Sequence, residues 1–191
     1  MSCPKRPSRK KNKSRLCGRE REEHTAMIRL ATLEDIPQLE EIYANARAYM
    51  KKTGNPTQWG DDKPKTEWLI EDIGRQELYV CCDGDEVYGV FMLMFGPEPV
   101  YCSPIEGWWR NDAPYGTIHR IAARGTRKGV FDESINYCKS RIDNLRIDTH
   151  PNNKTMQHLC ERSGFVRCGK ILVTDCSPRI IYHWVREDGQ C

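Results

Sequence analysis

Residues 120–134 read "RIAARGTRKGVFDES". The stretch opens with strand formers, passes through two glycines and three basic residues, and continues with helical character. Strand, glycine-bearing turn and helix start are the parts of a phosphate cradle. The first N–H groups of a helix have no intrahelical partner and sit at the positive end of its dipole. Gly129 lets the backbone approach a ligand, and Arg124, Arg127 and Lys128 add charge. The spacing fits neither common nucleotide motif. A Walker A loop needs four residues between its glycines and then Lys-Ser/Thr; here three intervene and Val130 follows Gly129. G-x-G-x-x-G is absent. Taken alone, the stretch reads as an exposed basic turn.

Working outward, the flanks give an α/β pattern. "MIRLA" (27–31) reads as a strand. In "TLEDIPQLEEIYANARAYMKK" the residues Ile36, Leu39, Ile42, Tyr43, Ala46 and Met50 recur at helical spacing. Pro37 suits only a first turn, which favours Asp35 over Thr32 as the N-cap. Residues 53–64 form a loop carrying Trp59, and Trp68, Leu69 and Ile73 mark a short second helix ending near Gly74. "ELYVCCDGDEVYGVFMLMF" is a hairpin turning at Asp83-Gly84-Asp85. A Pro-rich connection (96–104) precedes a strand at 115–123, the opening turn and a helix at 130–141. A strand at "LRIDTH", a helix at 153–162 and strands near 166–174 and 180–185 complete an α/β domain with a mixed, mostly antiparallel sheet.

The 191 residues suffice for one domain with a real core. No window approaches a membrane span, and no apolar stretch follows the basic N-terminus as in a secretory signal. The ten cysteines contain no C-x-x-C pair, which excludes a zinc ribbon or thioredoxin motif. They read as reduced thiols of a cytoplasmic protein, several of them small core residues, with no metal site. Residues 1–26 hold nine Lys/Arg and three Glu, net +6, so the rest carries −3. This segment lacks apolar periodicity and is expected to be a disordered basic extension. It reads as a dispensable extension ahead of Met27, with a nucleic-acid or targeting tail as the weaker alternative. The expected organisation is this extension, a domain over 27–185 and a tail at 186–191.

Three stretches together resemble the GNAT superfamily of N-acetyltransferases over about 27–185. "MIRLATLEDIPQLEEIY" is similar to its first strand and helix. "IHRIAARGTRKGVFDESINYC" is similar to its acetyl-CoA pyrophosphate motif, Q/R-x-x-G-x-G/A. "NKTMQHLCERSGFVRCG" is similar to its N-x-x-x-x-x-L-Y-x-x-x-G-F segment. The resemblance is nearest to small bacterial members sharing stretches such as "GNPTQWGD", "PYGTIHRIA" and "RIDTH". It implies a GNAT fold whose sheet splays at the acetyl-CoA site. It further implies pyrophosphate binding by the amides of about 127–131 (Arg127, Lys128, Gly129, Val130, Phe131) and pantetheine pairing along Ile121, Ala122 and Ala123. Asn153 matches the asparagine that helps hold the cofactor, and it is equally a plain N-cap. Thr126 and Phe131 depart from the motif.

The implied activity is acetyl transfer from acetyl-CoA to a primary amine of a small molecule, amino acid or peptide. The alternative is an acyl-CoA-binding module without efficient catalysis. In the family a Tyr acid stands where this chain has Cys160, which reads as a buried small residue or a proton donor. Thr117 occupies the place of a frequent carboxylate base; His119, on the same strand face, is the expected base, with a structural histidine as the alternative. Trp59, Glu106 with Trp108 and Trp109, and Asp148 with His150 are candidate acceptor contacts, the acids suiting a cationic amine. Expected partners are that amine, no membrane, nucleic acid only weakly through residues 1–26, and a second copy of the chain as a compatible homodimer.

Overall fold

A computed structural model describes residues 27–101 and 106–187. The expectations for residues 1–26 and for the end of the chain beyond 187 lie outside the described residues. The elements run β1 (Met27–Leu30), α1 (Ile36–Lys52), α2 (Thr66–Gly74), β2 (Leu78–Asp83), β3 (Glu86–Phe95), β4 (Glu106–Gly107), β5 (Gly116–Ala123), α3 (Val130–Lys139), β6 (Asn144–Thr149), α4 (Lys154–Arg162), β7 (Val166–Leu172) and β8 (Pro178–Val185). The sequence pattern anticipates all of these except the two-residue β4. Asp35 does stand at the N-cap position of α1. Its carboxylate, however, accepts from the Thr32 amide at 2.8 Å and from both terminal nitrogens of Arg29 at 2.8 Å, fastening the β1–α1 turn instead of the helix start.

The strands form one sheet in the order β1-β2-β3-β5-β6-β8-β7-β4. β5 and β6 are its parallel pair, with α3 as the crossover, and the other neighbours run antiparallel. Alternation along β3 sorts its side chains between two cores. Val90 and Met92 join Leu39, Ile42, Tyr43 and Leu69 of α1 and α2, whereas Phe91 and Leu93 join Ile135, Cys138 and Phe165 on the α3–α4 face. Cys81, Cys138 and Cys160 are wholly buried in the second core, where each thiol serves as a small apolar residue. Among the described residues no helix is long and apolar enough to cross a membrane.

Candidate active site

The site begins where β5 leaves β6. Their pairing runs Gly116↔Leu145, Thr117↔Arg146 and Ile118↔Ile147, then stops, although β5 continues to Ala123 and β6 to Thr149. On its other side β5 carries a bulge. Met92 pairs with His119 and Val90 with Ala122, so Arg120 and Ile121 together face the single residue Phe91. Arg120 takes up the extra length with φ at +53°, a left-handed conformation uncommon outside glycine. Tyr43 of α1 donates to the Arg120 carbonyl at 2.9 Å. The Arg120 guanidinium pairs with the fully buried Asp72 of α2, which also holds Arg75. The bulge reverses the strand's parity. Ile118 faces the α3–α4 core, but beyond the bulge Ile121 and Ala123 do so and Ala122 faces α1.

A groove of about 440 Å³ opens along the unpaired part of β5, between α1 and the start of α4. Ile121, Ala122, Ala123, Arg124, Gly125, Val130, Phe131 and Asn153 line it, with Tyr49 and Leu159. At its α3 end, among the described residues, the amides of 127–132 donate to no protein acceptor; the first helical bond is Glu133 N to Gly129 O at 3.0 Å. Gly129 has φ at +87°, and a Cβ built on it meets nothing within 4 Å. Its backbone therefore borders open space. Of the basic residues, Arg127 lies over the Tyr88 ring at 4.6 Å, and Lys128 is exposed; neither lines the groove. Arg124 donates to Val87 O at 2.8 Å and to Glu41 at 2.6 Å.

A second cavity of about 420 Å³ adjoins the groove and shares Met50, Ile121, Asn153 and Met156 with it. His119, Trp59 and Asp148 line this cavity together with Glu98, Trp68, Thr149 and Arg179. His119 Nε2 lies 3.0 Å from Glu98 Oε2, and its Nδ1 lies 3.8 Å from Asp148 Oδ2. Burial pulls the imidazole down, but the Glu98 bond and the Asp148 and Glu98 charges outweigh it and hold the group above the usual histidine value. Reciprocally, the His119 bond holds the Glu98 carboxyl below its usual range. Tyr101 donates to Asp148 at 2.7 Å, and Arg179 Nε stands 3.5 Å from the other Asp148 oxygen. Asn153 caps α4, accepting from Met156 N at 3.1 Å, and also donates to Gln58 at 3.0 Å, so its cap role and its place in both cavities coexist.

Other expected residues lie elsewhere. Glu106 sits on β4 at the sheet edge, paired with Lys170 at 2.7 Å and away from both cavities. His150 lines neither cavity; its Nδ1 accepts from Asn152 N at 3.1 Å. Cys160 is 0% exposed, lines neither cavity, and burial pushes its thiol up to about 12. That placement matches the packing reading, because the thiol has no route to a ligand in the groove. Thr117 is likewise buried with its hydroxyl unpartnered, outside both cavities.

The protein shares 30% identity with a GNAT-family acetyltransferase from Streptococcus agalactiae 2603, over 85% of this chain and 96% of that one, at a TM-score of 0.74. It belongs to the GNAT family of acetyltransferases. More distant likenesses to this GNAT chain concern the fold alone. One is a ribosomal-protein-alanine N-acetyltransferase from Brucella melitensis at 18% identity, covering 84% of this chain and 99% of that one, with TM-score 0.53. Another is an aminoglycoside acetyltransferase, AAC(6')-Ib, in complex with coenzyme A and kanamycin, at 18% identity, 85% and 95% coverage and TM-score 0.55. No protein-family model matches the GNAT chain, and no curated protein matches it.

Glu98 and Arg179 are cavity residues that sequence reasoning missed. Each leaves a faint signal. Glu98 stands between Pro97 and Pro99, which stiffen the backbone that presents it. Arg179 is a charged residue at a buried position of a mostly apolar strand, "PRIIYHWV".

Proposed function

We propose that the chain is an acetyl-CoA-dependent N-acetyltransferase acting on a primary amine of a small molecule, amino acid or peptide. The observation that carries this reading is the junction of the two cavities at Met50, Ile121, Asn153 and Met156. A molecule reaching along the groove past Ile121 meets the cavity that His119 and Glu98 line.

The groove fits a coenzyme A thioester on three counts. Among the described residues, the amides of 127–132 have no protein acceptor and can cradle a pyrophosphate at a helix start, the backbone of Gly129 borders open space, and the edge of β5 facing β6 has no strand partner beyond Ile118. Bound there, acetyl-CoA supplies an activated acetyl carbon on a thiolate leaving group. The protein's own contribution is positioning and proton handling. Packing of β5 against α1 through Tyr43 fixes the edge along which the cofactor arm pairs. Glu98 accepts a hydrogen bond from Nε2 of a neutral His119, so the ring's lone pair lies on Nδ1. Nδ1 is beyond hydrogen-bond reach of Asp148 and accepts the acceptor's proton, directly or through water. That proton leaves the nitrogen as the C–N bond forms and the C–S bond breaks. Glu98 and Asp148 then stabilise the imidazolium. A coenzyme A thiolate is stable enough to leave near neutrality and take its proton from solvent.

Because His119 is held above the usual histidine value, less of it is in the accepting form at pH 7 than an isolated histidine would offer. The base therefore reaches its full accepting population at a higher pH than an unperturbed histidine would. The alternative, an acyl-CoA-binding module, draws on the absence of a reachable acid at Cys160. Thiol release from acetyl-CoA across a panel of amines separates the two. Turnover above background with any amine supports the transferase; binding of acetyl-CoA with no turnover on any amine supports the module.

A further inference from the structure

Arg179 is the cavity charge that the proposed transfer leaves without a task. It is 8% exposed, at the start of β8 beside the end of β6. Its Nη1 donates to Ser177 Oγ at 2.6 Å and to the Pro178 carbonyl at 3.1 Å. Its Nε stands 3.5 Å from Asp148 Oδ1, a charge contact without a hydrogen bond, and Nη2 has no partner among the described residues. Arg179 lines the cavity, so this unpaired nitrogen is open to it and free to donate to a ligand there. The other cations lining the cavity are better matched. Arg75 and Arg120 share the buried Asp72, and Lys63 pairs with Asp175 at 3.4 Å. Arg179 is thus a preformed anion site, and its charge is felt nearby: burial first, and then the Arg179 charge, lower His150 below the usual histidine value.

What makes the site selective is its neighbour. Asp148 presents a carboxylate to the same cavity, held by Tyr101 and lying 3.8 Å from His119 Nδ1. A positive and a negative group 3.5 Å apart match a ligand whose own charges are opposite and separated by one or two carbons. Resting on the transferase reading above, we propose that the acceptor is a free amino acid. Its carboxylate pairs with Arg179 through charge-assisted hydrogen bonds, and its ammonium group sits against Asp148 with its nitrogen facing His119. A peptide N-terminus has no carboxylate beside its amine, and a polyamine has none at all, so both leave the guanidinium edge unpaired. The step needs no further reactant: the ammonium first gives one proton to solvent, the neutral amino nitrogen then bonds the acetyl carbon and passes its second proton to His119, and the C–S bond breaks to release the thiolate, which takes its proton from solvent.

The test compares common amino acids with their carboxamides and decarboxylated amines, by thiol release from acetyl-CoA. The acid of each trio is expected to exceed the other two in kcat/KM by at least about 30-fold, as for loss of one partner of a buried charge pair. In Arg179→Gln the preference should vanish through a loss on the acids alone, and Arg179→Lys should keep part of it. If carboxamides or amines react as well as the acids, the inference is overturned while the transferase reading stands. An equal loss on acids and amides in Arg179→Gln also overturns it, since a residue that merely orients Asp148 would act that way. If no amine is acetylated, the transferase reading fails, and binding still decides. A rise in Tm with N-acetyl amino acids but not with their amides, lost in Arg179→Gln, supports the carboxylate site; equal or absent shifts reject it.

Discussion

Glu98 and His119, 21 residues apart in the chain, meet at 3.0 Å across the connection between β3 and β5. The contact turns a loop carboxylate and a strand imidazole into one proton-handling unit. It raises the histidine and lowers the acid, so the pair is an ion pair over the interval between their two shifted values.

Losing His119 should stop the chemistry more than it disturbs binding. His119→Ala is expected to lower the acetylation rate about 10²-fold or more at pH 7, with a smaller deficit at high pH where the amine deprotonates unaided. Glu98→Gln removes the interaction that raises the imidazole, so the rising limb of the pH–rate profile should move toward lower pH. A profile with an unmoved limb, or parental rates in His119→Ala, would take the base role away from this pair.

Cys160 should behave as core. Cys160→Ala is expected to change the rate less than about 10-fold and to cost about 1 kcal/mol of stability, as for removal of a small buried group. Steady-state rates and urea unfolding of the variant check both. A folded Cys160→Ala protein that binds acetyl-CoA yet is inactive would restore the acid role.

Gly129 tests the cradle. Gly129→Val places a branched side chain in open space where a pyrophosphate would lie, at a φ of +87° that strains any L-residue. Acetyl-CoA should raise the Tm of the parent and fail to raise that of the variant. Equal shifts in both proteins would remove the cradle from this turn.

Two histidines should tilt stability in opposite directions with pH. His183 is 0% exposed, and burial with the Arg146 and Arg110 charges lowers it to about 4. Its contribution is full above its unfolded value and is lost, by ~3 kcal/mol, as pH falls toward 4. His119 is raised, so its contribution is full below its unfolded value and fades as pH climbs through the folded one. Urea unfolding across pH 4 to 9 should show a weaker acid-side loss in His183→Gln and a weaker alkaline-side loss in His119→Ala. The slopes carry the test, whatever each variant costs overall.

Much of the architecture is legible in the chain because its helices and strands keep their own periods. The stripe from Leu39 to Tyr43 packs as its spacing implies, and the alternation of Val90 to Leu93 separates the two cores. His119, Asp148, Trp59 and Asn153 are likewise legible and do line the second cavity. Legibility ends where geometry depends on partners distant in sequence. Glu106 and Asp148 look alike as acids near strands, yet one faces Lys170 at the sheet edge and the other faces Tyr101 and Arg179 inside. The bulge is equally hidden, since nothing in the local pattern "TIHRIA" (117–122) marks Arg120 as the residue that reverses the strand's faces; the contacts that hold it there, Asp72 and Tyr43, are distant in sequence.

The short seam between β5 and β6 has a mechanical meaning. Among the described residues, three residue pairs stitch the N-terminal half of the sheet to the C-terminal half, and past Ile118 and Ile147 the halves diverge like an open zip. The wedge between them is where both cavities lie, so a ligand that fills it touches both halves at once. Occupancy would then fasten the two halves of the sheet together from inside the wedge. Hydrogen exchange of the amides along Ile121–Ala123 would register that closure without reference to catalysis.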